Sequence, residues 1–395
     1  MREIYLDNAA TTRVLPEVAE ICVKTMQQAY GNPSSLHHKG FEAEQYVRDA
    51  RKTIADSLKV PEDTIVFTSG GTESNNMALL CGADARKRQG NHIITTRIEH
   101  ASVYNPILRL KDLGYRVTFL EVDNNGIVRP ETLAEALDDE TILVSIMAVN
   151  NEIGAVEPIA ELAKLTHERV PHVLFHTDAI QAYGKIPMFP KRMGIDLMSV
   201  SGHKLHAPKG TGFLYIRDKN LLKPLIYGGG QQKDLRSGTE NVPGIAGLGT
   251  AVKSWFANAD SNREHMYMLK ERFALAMEEV PGAIVNGIFT EENLPLAERI
   301  RKTAPHVISV SFAGVRSEVL LHALEENGVY VSSGSACSSN HPAISGTLKA
   351  IGVDDKLLDC TLRFSFSFET TEEEIDAASA ALKELVPILG KYRRS

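Results

Sequence analysis

Short apolar runs alternate with helix-like segments through the first half of this chain. The apolar runs, each interpreted as a strand, are "TIVFTS", "HIITT", "RVTFLEV", "TILVSIMAV", "VLFHTDA" and "DLMSVS". The helix-like segments lie around 43–58, 72–88, 101–113, 130–138 and 158–169. In the first of them, apolar residues recur at three- and four-residue steps, as on one face of a helix. The alternation predicts an α/β fold with a mainly parallel sheet covered by helices on both faces.

A different pattern follows the glycine-rich stretch at 226–244. A helical segment near 262–279 leads into the strand-like "HVISVSF", a helix at 317–327 and the strand-like "DCTLRFSFSF". This order is typical of a smaller α+β unit. We expect a large α/β domain at residues 15–257, and a small domain formed by residues 1–14 and 258–395.

The overall charge limits the kinds of partner. With 43 Lys and Arg against 50 Asp and Glu, the 395-residue chain has a formal net charge of −7. It therefore has no general electrostatic attraction for nucleic acid or anionic membranes. The sequence shows neither a signal-peptide core at its start nor the roughly 18 uninterrupted apolar residues of a membrane span. We expect a cytoplasmic protein that binds small molecules or proteins, not nucleic acid or membrane.

Two strand-like runs end in residues that could hold a cofactor. Lys204 follows "DLMSVS", and Asp178 closes "VLFHTDA" with Gln181 three positions later. Because open α/β folds bind ligands at the carboxyl edge of the sheet, these side chains could meet there. An amine and a carboxylate in one site suit pyridoxal phosphate, which needs a Schiff-base lysine and a partner for its pyridinium nitrogen. The alternatives are a solvated loop lysine and, for Asp178, a helix N-cap.

Two further strand-to-helix junctions are candidates. In "TSGGTESNN", Gly70 and Gly71 permit a tight turn and Thr72 enters a helix whose free N–H groups could hold a phosphate. His100 in "TRIEHASV" also opens a helix after a strand, and histidine is a common acid or base. A simple structural turn and a capping histidine remain the alternatives. The chain has no GxxxxGK[ST] phosphate loop, which disfavours nucleotide binding.

The four cysteines, at positions 22, 81, 337 and 360, differ in their surroundings. None belongs to a CxxC or Cys/His cluster, so no metal site is predicted. Cys22 and Cys81 fall in helical patterns and are expected to be buried fillers. Alternation in "CTLRFSFSF" places Cys360 and the apolar side chains through Phe368 on one face. Arg363 is then free to face a cavity and bind a carboxylate, with a surface ion pair as the alternative.

Cys337 has no apolar surroundings to fill. It lies in "VSSGSACSSNHP", among small residues that neither form a core nor suggest a disulfide framework. Such a thiol is a candidate nucleophile. His341, four residues later, could favour the thiolate, although a solvated loop histidine is the simpler interpretation.

Motifs over nearly the whole chain together resemble the cysteine desulfurases, which are class V, fold-type I pyridoxal phosphate enzymes. They are "YLDNAATT", "YGNPSSLH", "FTSGGTESNN", "EHASV", "VNNEIG", "HTDAIQ", "SGHKLHAPKG", "LRSGTEN", "SSGSACSS" and "LRFSFSFETTEEE". The chain is most similar to the subgroup with a longer cysteine-bearing loop. The resemblance implies a large domain with a mainly parallel, seven-stranded type of sheet and a small domain carrying the cysteine loop.

The resemblance also implies a role for each site residue. Lys204 would form the Schiff base with pyridoxal phosphate, Cys337 would be the nucleophile, and His100 would stack over the ring. Asp178 would pair with the pyridine nitrogen and Gln181 with the phenolic oxygen. The phosphate would be held by Gly71, Thr72, Ser201, His203 and, from the second subunit of a homodimer, Thr239; the substrate carboxylate would be held by Asn151 and Arg363.

The implied reaction converts L-cysteine to L-alanine and leaves a persulfide on Cys337. The sulfur would then pass to a protein acceptor, such as an iron–sulfur scaffold or a tRNA-thiolation enzyme. Two related activities stay open: a selenocysteine lyase would use nearly the same residues, and a class V aminotransferase would need Lys204 and Asp178 but not Cys337.

Overall fold

A computed structural model describes residues 3–288, 294–333 and 345–391. Its strands are β1 (Ile4–Tyr5), β2 (Ile65–Thr68), β3 (His92–Thr96), β4 (Arg116–Leu120), β5 (Thr141–Ser145), β6 (Leu174–Asp178), β7 (Leu197–Ser201), β8 (Gly212–Ile216), β9 (Ala283–Asn286), β10 (Val307–Phe312), β11 (Val329–Tyr330), β12 (Ser332–Ser333) and β13 (Thr361–Ser365). Its α-helices are α1 (Pro16–Gln27), α2 (His38–Leu58), α3 (Gly71–Asn76), α4 (Gly82–Arg86), α5 (Ala101–Asp112), α6 (Pro130–Ala136), α7 (Ile159–Arg169), α8 (Pro190–Met193), α9 (Val242–Ala257), α10 (Ala259–Met277), α11 (Leu296–Arg301), α12 (Ser317–Glu326), α13 (Gly346–Ala350) and α14 (Glu372–Gly390).

The larger sheet has seven strands in the order β2-β8-β7-β6-β5-β3-β4. Its neighbouring strands run parallel, except that β8 is antiparallel to both β2 and β7. The predicted α/β class and the mainly parallel sheet are confirmed. The apolar run that starts at Thr141 is a strand only as far as Ser145. The residues that follow, through Val149, are apolar because they are buried beneath the site.

Helices cover both faces of this sheet. Along β8, Phe213 and Tyr215 belong to one buried apolar cluster, whereas Leu214 and Ile216 belong to the other. Successive side chains of a strand point to opposite faces, so a strand buried on both faces has to be apolar throughout. The first cluster contains residues of α2, α7 and α9, and the second contains residues of α5.

No helix in the described part of the chain is long and apolar enough to span a membrane.

A second sheet, in the order β12-β13-β10-β9, is antiparallel. Its apolar face packs against α10, α12 and α14, and β1 adds Ile4 to the same core. Leu362, Phe364 and Phe366 point into this core, as the alternation predicts. Phe368 does not, because the chain leaves the strand after Ser365 to enter α14. Its ring packs instead on Trp255 of the larger unit.

Two of the cysteine predictions hold and one is wrong. Cys81 and Cys360 are buried. Cys22 is only half-buried, and its thiol donates to the Pro243 carbonyl at 3.2 Å.

Helix α9 was not predicted, because Gly244, Gly247 and Gly249 weaken its helical pattern. The structure gives these glycines a packing role. A Cβ atom on Gly249 would lie 2.7 Å from the Cα atom of Ala50 in α2, and one on Gly247 would lie 2.7 Å from the Cys22 sulfur in α1. The missing side chains therefore let three helices approach closely, and this packing outweighs the low helix propensity of glycine.

We expect Gly249→Ala to lower the free energy of unfolding by about 1–3 kcal/mol through overpacking. Intrinsic propensity alone predicts the opposite sign, since alanine favours a helix by about 1 kcal/mol over glycine. Gly390→Ala in α14 is the matched control, because its new methyl group would meet no atom of the described residues closer than 3.9 Å. Thermal unfolding of the parent protein and the two variants measures the difference in stability. A Gly249→Ala protein as stable as the Gly390→Ala protein would contradict this packing role.

Candidate active site

A cavity of about 230 Å³ lies at the carboxyl ends of β6 and β7. Parallel strands bring their carboxyl ends to one edge of the sheet, so residues distant in sequence meet there. The lining includes nine of the predicted residues: Gly71, Thr72, His100, Asn151, Asp178, Gln181, Ser201, His203 and Lys204. The structure therefore brings these nine residues together at one cavity, while their roles remain predictions.

Lys204 lies in a short turn directly after β7. Its Nζ donates to the carbonyls of Ala9 and Ala10 in the N-terminal arm, at 2.6 and 2.7 Å. A second lysine, not selected by the sequence analysis, supports it. Lys185 Nζ donates to the Lys204 carbonyl at 2.7 Å and lies 4.3 Å from the Trp255 ring centroid. Burial lowers the pKa of Lys185 to about 7, and the charge of Lys204 adds to this effect. Lys185 thus holds the backbone of Lys204, while Lys204 itself lines the cavity.

Asp178 is the last residue of β6 and is buried. Its Oδ1 accepts from the backbone N–H of Ile180 at 2.9 Å, and its Oδ2 accepts from Asn75 Nδ2 at 2.8 Å. Burial raises the pKa of Asp178 above its ordinary value, despite these bonds and the charges of His100 and Lys204. A buried carboxylate with only neutral donors is poorly compensated, and a cationic group of a ligand would stabilise it.

His100 caps the N-terminus of α5, so the capping alternative describes its geometry correctly. Its Nδ1 accepts from the backbone N–H of Ser102 at 3.1 Å and lies 2.8 Å from the Ser102 hydroxyl. Because Nδ1 is an acceptor, the proton of the neutral ring is on Nε2. Asn75 also donates to the Ser102 hydroxyl, at 2.9 Å. Asn75 and Ser102, both missed in the sequence, link His100 to Asp178.

One end of the cavity opens into a groove of about 400 Å³ that is rich in hydrogen-bond donors. Gly70 there has a φ of 146°, which favours glycine, and a Cβ on Gly71 would collide with Ile180. Within the described chain, the hydroxyls of Thr72 and Ser201 have no hydrogen-bond partner. His203 contacts the Thr11 hydroxyl at 3.2 Å. Burial, together with the charges of Lys204 and Lys209, lowers the pKa of His203 to about 4, so its ring is neutral.

Arg363, in β13 of the second sheet, is not part of the cavity lining, but it contacts Asn151, which is. Arg363 is buried, so the surface ion pair considered from the sequence is excluded. Its Nη2 donates to Asp7 Oδ1 at 2.9 Å and its Nη1 to the backbone carbonyl of Asn151 at 3.0 Å. Burial raises the pKa of Asp7 by more than Arg363 lowers it.

Thr239 is exposed and does not line this cavity, while Cys337 and His341 lie outside the described residues.

Comparison with known proteins identifies the family of the chain. Residues 4–378 match the family model described as Aminotransferase class-V. The chain is 42% identical over 386 residues to "Cysteine desulfurase IscS" of Dictyoglomus turgidum, covering 98% of this chain and 95% of that protein. It is 40% identical to the protein of the same name from Methanosarcina thermophila, covering 98% and 92%.

Solved structures show the same relationship. One described as "NIFS-LIKE PROTEIN" superposes with a TM-score of 0.90 at 35% identity, covering 98% of this chain and all of that one. Another, described as "SspA in complex with cysteine", superposes with a TM-score of 0.79 at 32% identity, covering 94% of this chain and 100% of that one. Fold, site and full-length similarity agree, and the chain belongs to the class V aminotransferase family, within its group of cysteine desulfurases.

Proposed function

We propose that the protein is a pyridoxal phosphate-dependent cysteine desulfurase, which converts L-cysteine to L-alanine and carries the sulfur as a persulfide on Cys337. One observation carries this proposal beyond family membership. The described residues on both sides of the Cys337 segment are anchored at the site: Ser332 pairs with Arg363 between β12 and β13, and Ser345 bonds to Glu152, next to Asn151. The described residues that flank the Cys337 segment thus lie beside Arg363 and Asn151, which are proposed to bind the substrate carboxylate.

The residues of the cavity fit pyridoxal phosphate. Asp178 is a buried carboxylate whose hydrogen-bond donors in the described residues are neutral, which suits the pyridinium nitrogen. The hydroxyls of Thr72 and Ser201, which have no partner within the described residues, suit a phosphate. Lys204 would provide the Schiff-base amine, Gln181 would bind the phenolic oxygen and His100 would cover the ring. His203 and, from a second subunit, Thr239 would complete the phosphate site. When bound, the cofactor would supply an electron sink for a carbanion at the substrate Cα.

The protein's own groups would divide the remaining work. Arg363 and Asn151 would bind the carboxylate of L-cysteine, a contact that a planar guanidinium makes well. The Lys204 amine would remove the Cα proton. The Cys337 thiolate would attack the substrate sulfur, so that an S–S bond forms as the substrate's Cβ–S bond breaks. The electron pair of the broken bond stays on the carbon side and Cβ is protonated, and the proton that Lys204 removed is returned to Cα, which yields alanine and the Cys337 persulfide.

The alternatives are separated by chemistry. A class V aminotransferase has no use for Cys337, whereas a selenocysteine lyase would prefer the selenium substrate. Incubation with L-cysteine without reductant should yield alanine and a Cys337-containing peptide heavier by one sulfur atom. Alanine formed only with a keto acid present, and an unmodified peptide, would contradict the proposal.

We further propose that the persulfide passes, in the cytoplasm, to a protein such as an iron–sulfur scaffold or a tRNA-thiolation enzyme.

A homodimer is part of the proposal. Large apolar side chains are exposed from the last turn of α1 to the first turn of α2: Met26, Tyr30, Leu36 and Phe41. Tyr227 is also exposed, in the same glycine-rich segment as Thr239. Exposed apolar groups of this kind mark interaction surfaces, and a second copy of the chain would bury them.

We expect Lys204→Ala to abolish turnover and leave the fold intact, because the amine is lost while Asp178 and the phosphate donors remain. In the parent protein, borohydride reduction followed by peptide mapping should place the cofactor label on Lys204. Lys185 is the critical competitor, since a lysine of pKa about 7 is a good nucleophile at neutral pH. A label on Lys185 would overturn the assignment.

We expect Cys337→Ser to bind the cofactor and to change its visible spectrum with L-cysteine, yet to make almost no alanine. A serine hydroxyl supplies negligible anion at neutral pH and reacts poorly with sulfur. Cys22→Ser is the matched control and should retain activity, because Cys22 lies outside the cavity lining. Near-normal persulfide formation by Cys337→Ser would refute the role of the thiol.

We expect inactive Lys204→Ala and inactive Thr239→Ala subunits to regain partial activity when they are mixed. A hybrid dimer would contain one site with both residues intact if Thr239 serves the partner's cavity. Native mass spectrometry should confirm that subunits have exchanged. Exchange without recovered activity would exclude a shared site.

A further inference from the structure

The side chain of Gln181 is held between two parts of the chain that are distant in sequence. Its Nε2 donates to the carbonyl of Ala9 at 2.9 Å. Its Oε1 lies 3.0 Å from Nε2 of His306, which immediately precedes β10 in the second sheet. All three residues are buried. The hydrogen bond between Gln181 and His306 therefore joins the cavity wall to the second sheet.

These contacts fix the orientation of both groups. A backbone carbonyl can only accept, so the Gln181 atom facing Ala9 has to be the NH₂ group. The Gln181 atom facing His306 is then the oxygen, and the ring nitrogen opposite it has to carry a proton. Nδ1 of His306 has no hydrogen-bond partner within the described residues. His306 is thus assigned as the Nε2–H tautomer.

The surroundings of His306 also set its charge. The groups whose charges lower its pKa are Lys185, Lys270, Arg363 and Lys204, all of which are basic side chains. Burial, followed by these charges, holds the pKa of His306 well below its ordinary value. A second proton on the ring would place another cation in this group, without solvent to stabilise it. The ring therefore stays neutral, and Nε2–H is its only donor.

We propose that His306 is a positioning residue that makes Gln181 present an N–H group, not its carbonyl, to the oxygen of the bound cofactor. The inference rests on the proposed function, since it assigns Gln181 to that oxygen. Ala9 takes one of the two N–H groups of the amide, which leaves the second for a ligand. A flipped amide would turn its oxygen towards the Ala9 carbonyl and offer no donor to a phenolate.

Absorbance of the bound cofactor, measured against pH without substrate, tests the proposal. A hydrogen-bond donor to the phenolate oxygen makes that oxygen a weaker acceptor for the neighbouring Schiff-base proton, which lowers the pKa of the Schiff base. Loss of this donor therefore raises the pH midpoint of the spectral change. We expect His306→Phe to raise the midpoint by about one pH unit, which corresponds to the loss of one hydrogen bond. His306→Gln, whose amide nitrogen can occupy the place of Nε2, should restore a midpoint close to that of the parent.

A double-substitution cycle separates positioning from a general structural effect. Gln181→Met should raise the midpoint by itself, and His306→Phe should add nothing further in the Gln181→Met protein. An equal shift by His306→Phe in both backgrounds, or no shift in a folded protein, would overturn the inference.

Nitrogen NMR of the purified full-length protein gives a second test, which does not depend on turnover. His306 should remain neutral and protonated at Nε2 from about pH 5 to pH 8. A doubly protonated ring or an Nδ1–H tautomer would overturn the inference, whatever the outcome of the alanine assay. Failure to form alanine with the expected tautomer present would instead count against the proposed function alone.

Discussion

The arrangement of the site depends on the N-terminal arm, which is hydrogen-bonded to both sheets. On the side of the larger sheet, Thr12 bonds to the carbonyl of His203 and to the N–H of His206. On the other side, Asn8 donates to the carbonyl of Ser365 at the end of β13. The carbonyl of Ala9 lies between these attachments and accepts from both Lys204 and Gln181. The N-terminal arm thus positions both the Lys204 amine and the Gln181 amide.

Buried polar groups in the site are compensated mainly by neutral dipoles. Lys185 is bonded to a carbonyl and packed on an aromatic face, Asp178 accepts from two neutral N–H groups, and His306 donates to an amide. Such groups shift towards their neutral forms unless a counter-charge arrives. Arg363, by contrast, already has Asp7 as its partner. A substrate carboxylate would therefore share this guanidinium with Asp7, and its remaining N–H groups give it the capacity to do so.

The α/β pattern predicted some of the residues that line the cavity and the family resemblance added Asn151, Ser201 and His203, but neither identified the residues that support them. Lys204, Asp178 and His100 each follow a recognisable strand, and parallel strands end at a common edge. Asn75, Lys185 and His306 follow no such rule. Gln181 and His306 are 125 positions apart, and Asn75 and Asp178 are 103 positions apart, so no local pattern connects them. Helix α9 was missed for a related reason, because the use of its glycines lies in helices distant in sequence.

The sequence alone determined the fold class, the sheet edge that forms the site and the residues that meet there. It could do so because burial on both faces requires continuous apolar strands, and because chemistry-bearing residues stand at their ends. Tertiary structure decided what those residues contact: that Lys185 supports Lys204, that Arg363 is paired with Asp7, and that the Gln181 amide is oriented by His306. These are distances between atoms of separate elements. Such distances follow from how two sheets, three close-packed helices and the N-terminal arm pack together, and no spacing along the chain encodes them.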